Sequence, residues 1–173
     1  MKKWIAAMRP ATLFALRVIV FAGCRSTKAT GTLDVLRKIK IERGTILRLG
    51  DKVPPTSDFC NWSGATCALK GGTFAGAETM SLSRTGSGLI YQFQFYYGII
   101  SADAMKAQID DYTHLLGNPS RDSLSKAGQL DSRELEWSDS ATTFELSYKY
   151  GTDQSQAEAS ATLTDNMLAK HAR

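Results

Sequence analysis

Apolar and polar positions alternate along much of this chain. In the segment 89–97, Tyr91, Phe93, Phe95 and Tyr97 fall on one side of an extended backbone and Gln92 and Gln94 on the other, the period of two expected of a half-buried strand. Leu135 and Trp137 alternate in the same way with Glu134, Glu136 and Ser138. Phe144, Leu146, Tyr148 and Tyr150 alternate with Thr143, Glu145, Ser147 and Lys149. Residues 79–84 and 157–163 read as further strands, with turns at Thr85-Gly86-Ser87-Gly88 and Gly151-Thr152-Asp153. One segment keeps a helical period instead. Met105, Ile109, Tyr112 and Leu116 form a stripe on a helix over about 101–117, with Ser101 as its cap, Asp103 in its first turn and Gly117 at its exit before Pro119. A short helix is expected near 165–170. Residues 33–49 fit either a helix (Leu33, Leu36, Ile39) or a strand (Ile39 and Ile41 between Lys40 and Glu42). Residues 50–55 form a turn or loop, and 64–76, rich in Gly, Ala and Thr, have little regular structure. The fold this predicts is α+β: an antiparallel sheet of about four to six strands, the 101–117 helix packed across one face, and a short C-terminal helix. The expected core includes Tyr91, Phe93, Phe95, Ile109, Leu116, Trp137, Phe144 and Leu146.

Length and charge narrow the function classes. The 173 residues suit one domain. The formal charge of +4 resides in residues 1–23, where Lys2, Lys3, Arg9 and Arg17 meet no acid; removing those four leaves 17 basic against 17 acidic residues. A uniformly basic nucleic-acid binder is therefore not expected. Two histidines and three cysteines supply too few ligands for a metal cage, no motif names a cofactor or small-molecule ligand, and no catalytic motif is present.

The N-terminus carries the most specific pattern. A basic start at Lys2 and Lys3 precedes an apolar run from Ala11 that is shorter than the roughly twenty residues needed to span a bilayer. Small residues then lead into a cysteine, the order of an export signal. Phe21-Ala22-Gly23-Cys24 resembles the lipobox of bacterial lipoproteins. That resemblance implies a signal peptide over 1–23, a lipid-modified Cys24 anchored in the membrane, a tether over 24–32, and a single periplasmic domain over 33–173. Arg25 in place of an aspartate points, by the same resemblance, to the inner leaflet of the outer membrane. The competing reading is an amphipathic N-terminal helix with a buried cysteine. The remaining pair, Cys60 and Cys67, has six residues between its members. The spacing fits neither a CxxC redox centre nor a zinc site, leaving a structural disulfide or two free thiols. Closing so short a loop would stabilise by about 2.5 kcal/mol on the chain-entropy estimate.

Several side-chain groups invite a chemical reading, each with a plainer one beside it. The aromatic row 91–97 could form a ligand platform or a core strand. Asp110 and His114, one helical turn apart, could orient an imidazole or hold a metal, but they lie opposite the packing stripe, as a solvated pair would. Glu134, Glu136 and Asp139 form an acidic group suited to a protein partner, or to glycan hydrolysis if they line a cleft. Leu49-Gly50-Asp51-Lys52-Val53-Pro54 before Trp62-Ser63-Gly64-Ala65-Thr66 has an echo in Leu116-Gly117-Asn118-Pro119 before Trp137-Ser138-Asp139-Ser140-Ala141-Thr142. A Leu-Gly-x-Pro exit followed by a Trp-bearing strand resembles the BamE-like (SmpA) lipoproteins and the tandem β-lactamase inhibitor proteins, which bind other proteins and have no catalytic residues. Within the mature chain, residues 24–100 carry 10 basic and 5 acidic side chains and residues 101–173 carry 7 and 12. The leading expectation is a non-enzymatic envelope lipoprotein, its basic half toward the membrane and its acidic sheet toward a protein partner. The alternatives are a periplasmic inhibitor or immunity lipoprotein that blocks a toxin or hydrolase, and an envelope glycan hydrolase.

Overall fold

The computed structural model describes residues 33–41, 44–70, 74–127, 130–151 and 155–172. A single 3-10 turn at Leu33–Val35 leads into a two-stranded hairpin, β1 (Lys38–Lys40) and β2 (Ile46–Arg48). The rest of the chain builds one eight-stranded antiparallel sheet. Its first meander is β3 (Cys60–Ser63), β4 (Thr66–Leu69), β5 (Thr79–Arg84) and β6 (Ile90–Ser101). Helix α1 (Ala102–Leu116) then carries the chain to the far edge. The second meander follows: β7 (Arg121–Ala127), β8 (Leu130–Ser138), β9 (Thr142–Tyr150) and β10 (Gln156–Asp165), before α2 (Asn166–Lys170). The strand order is β3-β4-β5-β6-β10-β9-β8-β7, so the two meanders meet where β10 pairs with β6.

The alternation read from the sequence sorts the side chains onto two faces. Phe93 and Phe95 on β6, Ala161 and Leu163 on β10, Phe144, Leu146 and Tyr148 on β9, and Leu135 and Trp137 on β8 share the buried face. Helix α1 lies on this side across β6 and β10, where the two meanders meet, and reaches β8 and β9 through its side chains. Tyr112 packs its ring against Trp137 and Phe144, with centroids 6.1 and 4.7 Å away, and Leu116 is buried beside it. The Ser101 hydroxyl accepts from the Ala104 N–H, and Gly117 leaves the helix at φ 82°, a left-handed conformation that favours glycine. Phe74 stacks on Phe95 at 4.2 Å. The N-terminal hairpin adds Leu33, Leu36, Ile39, Leu47 and Leu49 to the same core. Arg37 ties this segment down by donating to the Thr142 hydroxyl and to Asp165, the latter at 2.6 Å. Asp165 in turn caps α2 by accepting from the N–H groups of Met167 and Leu168.

Strand β6 runs four residues past the segment 89–97. A bulge lets it do so. Ala159 pairs with Gly98 and Ser160 with Tyr96, leaving Tyr97 as the extra residue. Gly98 has φ 74°, and a Cβ there would lie 2.6 Å from Glu78 Oε1. The position therefore favours glycine on conformational grounds, while the Glu78 side chain could swing aside from a Cβ.

Three expectations need correction. The sheet has eight strands rather than about four to six, because β3, β4 and β7 are short of large apolar side chains in alternation. The segment 64–76 contains β4. Tyr91 and Ile109 are half-buried rather than fully buried; a second bulge, between Ser83 and Arg84, displaces Tyr91 from the ladder.

Candidate functional site

The other face of the sheet carries neither helix α1 nor the N-terminal hairpin. Strand register lines up one continuous rung across all eight strands: Asn61, Ala68, Ser81, Gln94, Thr162, Glu145, Glu136 and Arg121. All but Ala68 are polar or charged, the wet side of a sheet with one buried face. Its two ends differ in character.

On the first meander, side-chain amides and hydroxyls form a chain. The Ser81 hydroxyl donates to Gln94 Oε1 at 3.1 Å, Gln94 Nε2 to Gln92 Oε1 at 3.0 Å, and Gln92 Nε2 to the Thr164 hydroxyl at 3.1 Å. A shallow groove of about 570 Å³ runs here, lined by Thr79, Ser81, Gln94, Tyr96, Ser160 and Thr162 among others. A second hollow of about 470 Å³ lies on the helix side, between α1 and the end of β6, walled by Tyr97, Ile100, Gln108, Tyr112 and Leu115. There the Tyr97 and Tyr112 hydroxyls face each other at 3.2 Å in the buried interior. Burial pushes both phenols above their ordinary value.

The second meander carries the charge. Arg121, on edge strand β7, reaches three carboxylates at once: Glu136 at 3.1 Å, Glu145 at 3.7 Å and Glu134 at 3.9 Å. Glu136 and Glu145 are direct cross-strand partners, an arrangement of like charges that costs stability. One guanidinium cannot neutralise three carboxylates. Partial burial, and then the neighbouring Glu134, raise the Glu145 carboxyl above its ordinary value against the opposing pull of Arg121. The carboxylate pair expected at Glu134 and Glu136 thus stands on the uncovered face with Glu145 added. Neither groove is lined by Glu134, Glu136 or Asp139.

Asp139 does something else. Its Oδ1 accepts from the N–H groups of Ala141 and Thr142 at 2.8 and 2.7 Å, closing the β8–β9 turn. Asp110 and His114 are both exposed on α1, and Asp110 accepts from Lys106 at 2.6 Å. No group of three or more His, Cys, Asp or Glu side chains is arranged to hold a metal among the described residues. Cys60 and Cys67 stand diagonally across β3 and β4 on the buried face, with sulfurs at disulfide distance, 2.08 Å, and Cα atoms 5.4 Å apart. Cys24 lies outside the described residues, as do Thr152 and Asp153 of the expected turn. Among the described residues, no helix is long and apolar enough to cross a membrane.

Arg121 and Glu145 are the members of this cluster that sequence reasoning did not single out. Glu145 was visible as the polar member of an alternating pair. Its convergence with Glu136 depends on the β8–β9 register, which a single chain segment does not encode. Comparison with protein-family models, with curated proteins and with solved structures returns no match.

Proposed function

We propose that this chain is a non-enzymatic, lipid-anchored protein of the cell envelope that binds a protein partner through the uncovered face of its sheet. The partner offers basic side chains to Glu134, Glu136 and Glu145. The observation that carries this reading is the carboxylate trio itself. Three acids share one arginine on a surface that could have been filled with neutral residues, at a cost in folding stability. Charge of this kind, in excess of what the fold needs, suits recognition of an opposite charge and steering of its approach. The polar rung beside the trio supplies amide and hydroxyl groups for the rest of an interface. The anchor rests on Phe21-Ala22-Gly23-Cys24.

Two experiments bear on the two halves of the proposal. A photo-crosslinking residue at Ser147, next to Glu145 on the same face, is expected to give one discrete adduct in intact envelopes. Reversing Glu134, Glu136 and Glu145 to lysine should abolish it while thermal unfolding stays cooperative, and charge reversal of a basic residue on the captured protein should restore it. An adduct that survives the triple reversal in a folded variant sinks the interface. For the anchor, intact mass should show a chain beginning at Cys24 and carrying diacylglycerol, lost in Cys24→Ser. A full-length, unlipidated chain removes the envelope assignment.

A further inference from the structure

The outer edge of β7 has no neighbour among the described residues, because β7 ends the eight-stranded sheet. Its seven residues, Arg121–Ala127, contain neither proline nor glycine to interrupt pairing; the charges that remain to guard the edge, Arg121, Asp122 and Lys126, are of both signs. At its centre stands Leu124, 74 % exposed, the most exposed large apolar side chain among the described residues.

The sequence around Leu124 is charge-complementary to itself. Asp122, Leu124 and Lys126 project on the helix side of the sheet, since they pair with Leu135, Arg133 and Asp131 of β8. A second copy of β7, laid antiparallel with Leu124 opposite Leu124, sets Asp122 opposite Lys126 and Lys126 opposite Asp122. Ser123 then falls opposite Ser125 on the other face. Shifting the register by two residues loses both charge pairs, and a parallel in-register pairing sets like charges side by side. Direct cross-strand pairs of opposite charge favour a sheet, and like charges oppose it. Asp122 already accepts from Arg133 at 2.8 and 3.0 Å, but a carboxylate has lone pairs for further donors. Lys126 stands 4.0 Å from Asp131 with 83 % of its side chain exposed, free to turn outward.

We infer that β7 is a self-pairing edge: two copies of the chain join antiparallel through it about a two-fold axis at Leu124, held by the Asp122–Lys126 pairs and the Leu124–Leu124 contact. The occupant of the edge is a second copy because no partner need be supposed to match a pattern that the strand already matches itself. The two eight-stranded sheets become one, and both carboxylate trios come to lie on the same face. The inference stands independently of the proposed partner.

The test uses the full chain in density-matched detergent micelles, with mass read by sedimentation equilibrium. The wild type should give twice the mass of its own chain as read by intact mass spectrometry. Asp122→Lys alone, with two lysines on the outward face of the strand, and Lys126→Asp alone, with two aspartates, should each weaken self-association about tenfold or more, because one substitution turns both symmetric pairs repulsive. Mixed in equal amounts, the two variants should dimerise again with each other. A Leu124→Cys variant should form a dimer on a non-reducing gel. A monomeric wild type, single reversals that dimerise as well as the wild type, or a mixture that stays monomeric while both variants unfold cooperatively would each overturn the pairing.

Discussion

The two tryptophans among the described residues show how differently one residue type is used on one face of this sheet. Trp137 is buried, packs beside Tyr112 and Phe144, and donates its indole N–H to the Gly117 carbonyl at 2.8 Å. That bond fastens the exit of α1 to β8. Trp62 sits on edge strand β3, half-buried under the Arg84 guanidinium, which lies 3.9 Å from its ring centroid. Its indole N–H has no acceptor among the described residues. The sequence presents the two as members of one echo, yet Trp62 stands on the first strand of its meander and Trp137 on the second. The repeat of letters is not a repeat of position. Phenylalanine substitution should separate them. Trp137→Phe loses a hydrogen bond and leaves a gap, at a cost of about 2–4 kcal/mol. Trp62→Phe gives up part of a cation–π contact and some area, for about 1 kcal/mol or less. Urea unfolding of the two variants checks the order, and equal losses would mean that the Gly117 bond adds nothing.

Among elements, α1 and β6 were the most legible, and they meet through a contact that was not. The helix stripe, the Ser101 cap and the Gly117 exit all follow from local spacing, as does the aromatic row of β6. The buried hydroxyl pair of Tyr97 and Tyr112 depends on the bulge at Gly98, which realigns the end of β6. Removing one hydroxyl strands the other in the core, where an unpaired polar group costs about 1–3 kcal/mol. Tyr97→Phe and Tyr112→Phe should therefore each destabilise the protein, while the double variant costs clearly less than their sum. A double-mutant cycle by chemical denaturation measures that coupling, and strict additivity would show that the two hydroxyls do not depend on each other. Strand β7 lay at the opposite extreme of legibility. Arg121–Ala127 holds one large apolar residue, which the fold leaves exposed. An edge strand that buries nothing has no reason to alternate. Strands β3 and β4 hid for a related reason, since small residues and a disulfide-distance pair take the place of a run of large apolar side chains.

Across the whole molecule, the carboxylate trio arises only when β7, β8 and β9 are laid side by side, so its energetics belong to the assembled sheet. The sequence placed Glu134 and Glu136 on one strand face and stopped there. Arg121 lies thirteen positions before Glu134 and Glu145 eleven after it, yet only the register decides that they converge. The fold holds the Glu145 carboxyl above its ordinary value near 4.5, chiefly by burial and then by Glu134. The folded chain thus binds this proton more tightly than the unfolded chain does. Its contribution to stability is fully present below the ordinary value and is lost as pH rises through the raised one. Asp122 runs the other way. The Arg133 hydrogen bond holds its carboxyl below the ordinary 3.8, so its contribution is present above that value and fades as pH falls through the lowered one. Replacing Glu145 by glutamine keeps the shape and removes the charge. Glu145→Gln should raise the unfolding midpoint relative to the wild type at neutral pH, and the difference should shrink toward zero as pH drops below about 4.5. Thermal melts from pH 3.5 to 7.5 test this, and a variant less stable than the wild type at neutral pH would show that Arg121 outweighs burial and repulsion. The same variant connects stability to recognition. If the trio is kept for a partner, the substitution that strengthens the fold should weaken capture of that partner, because the charge that burdens folding is the charge the partner reads.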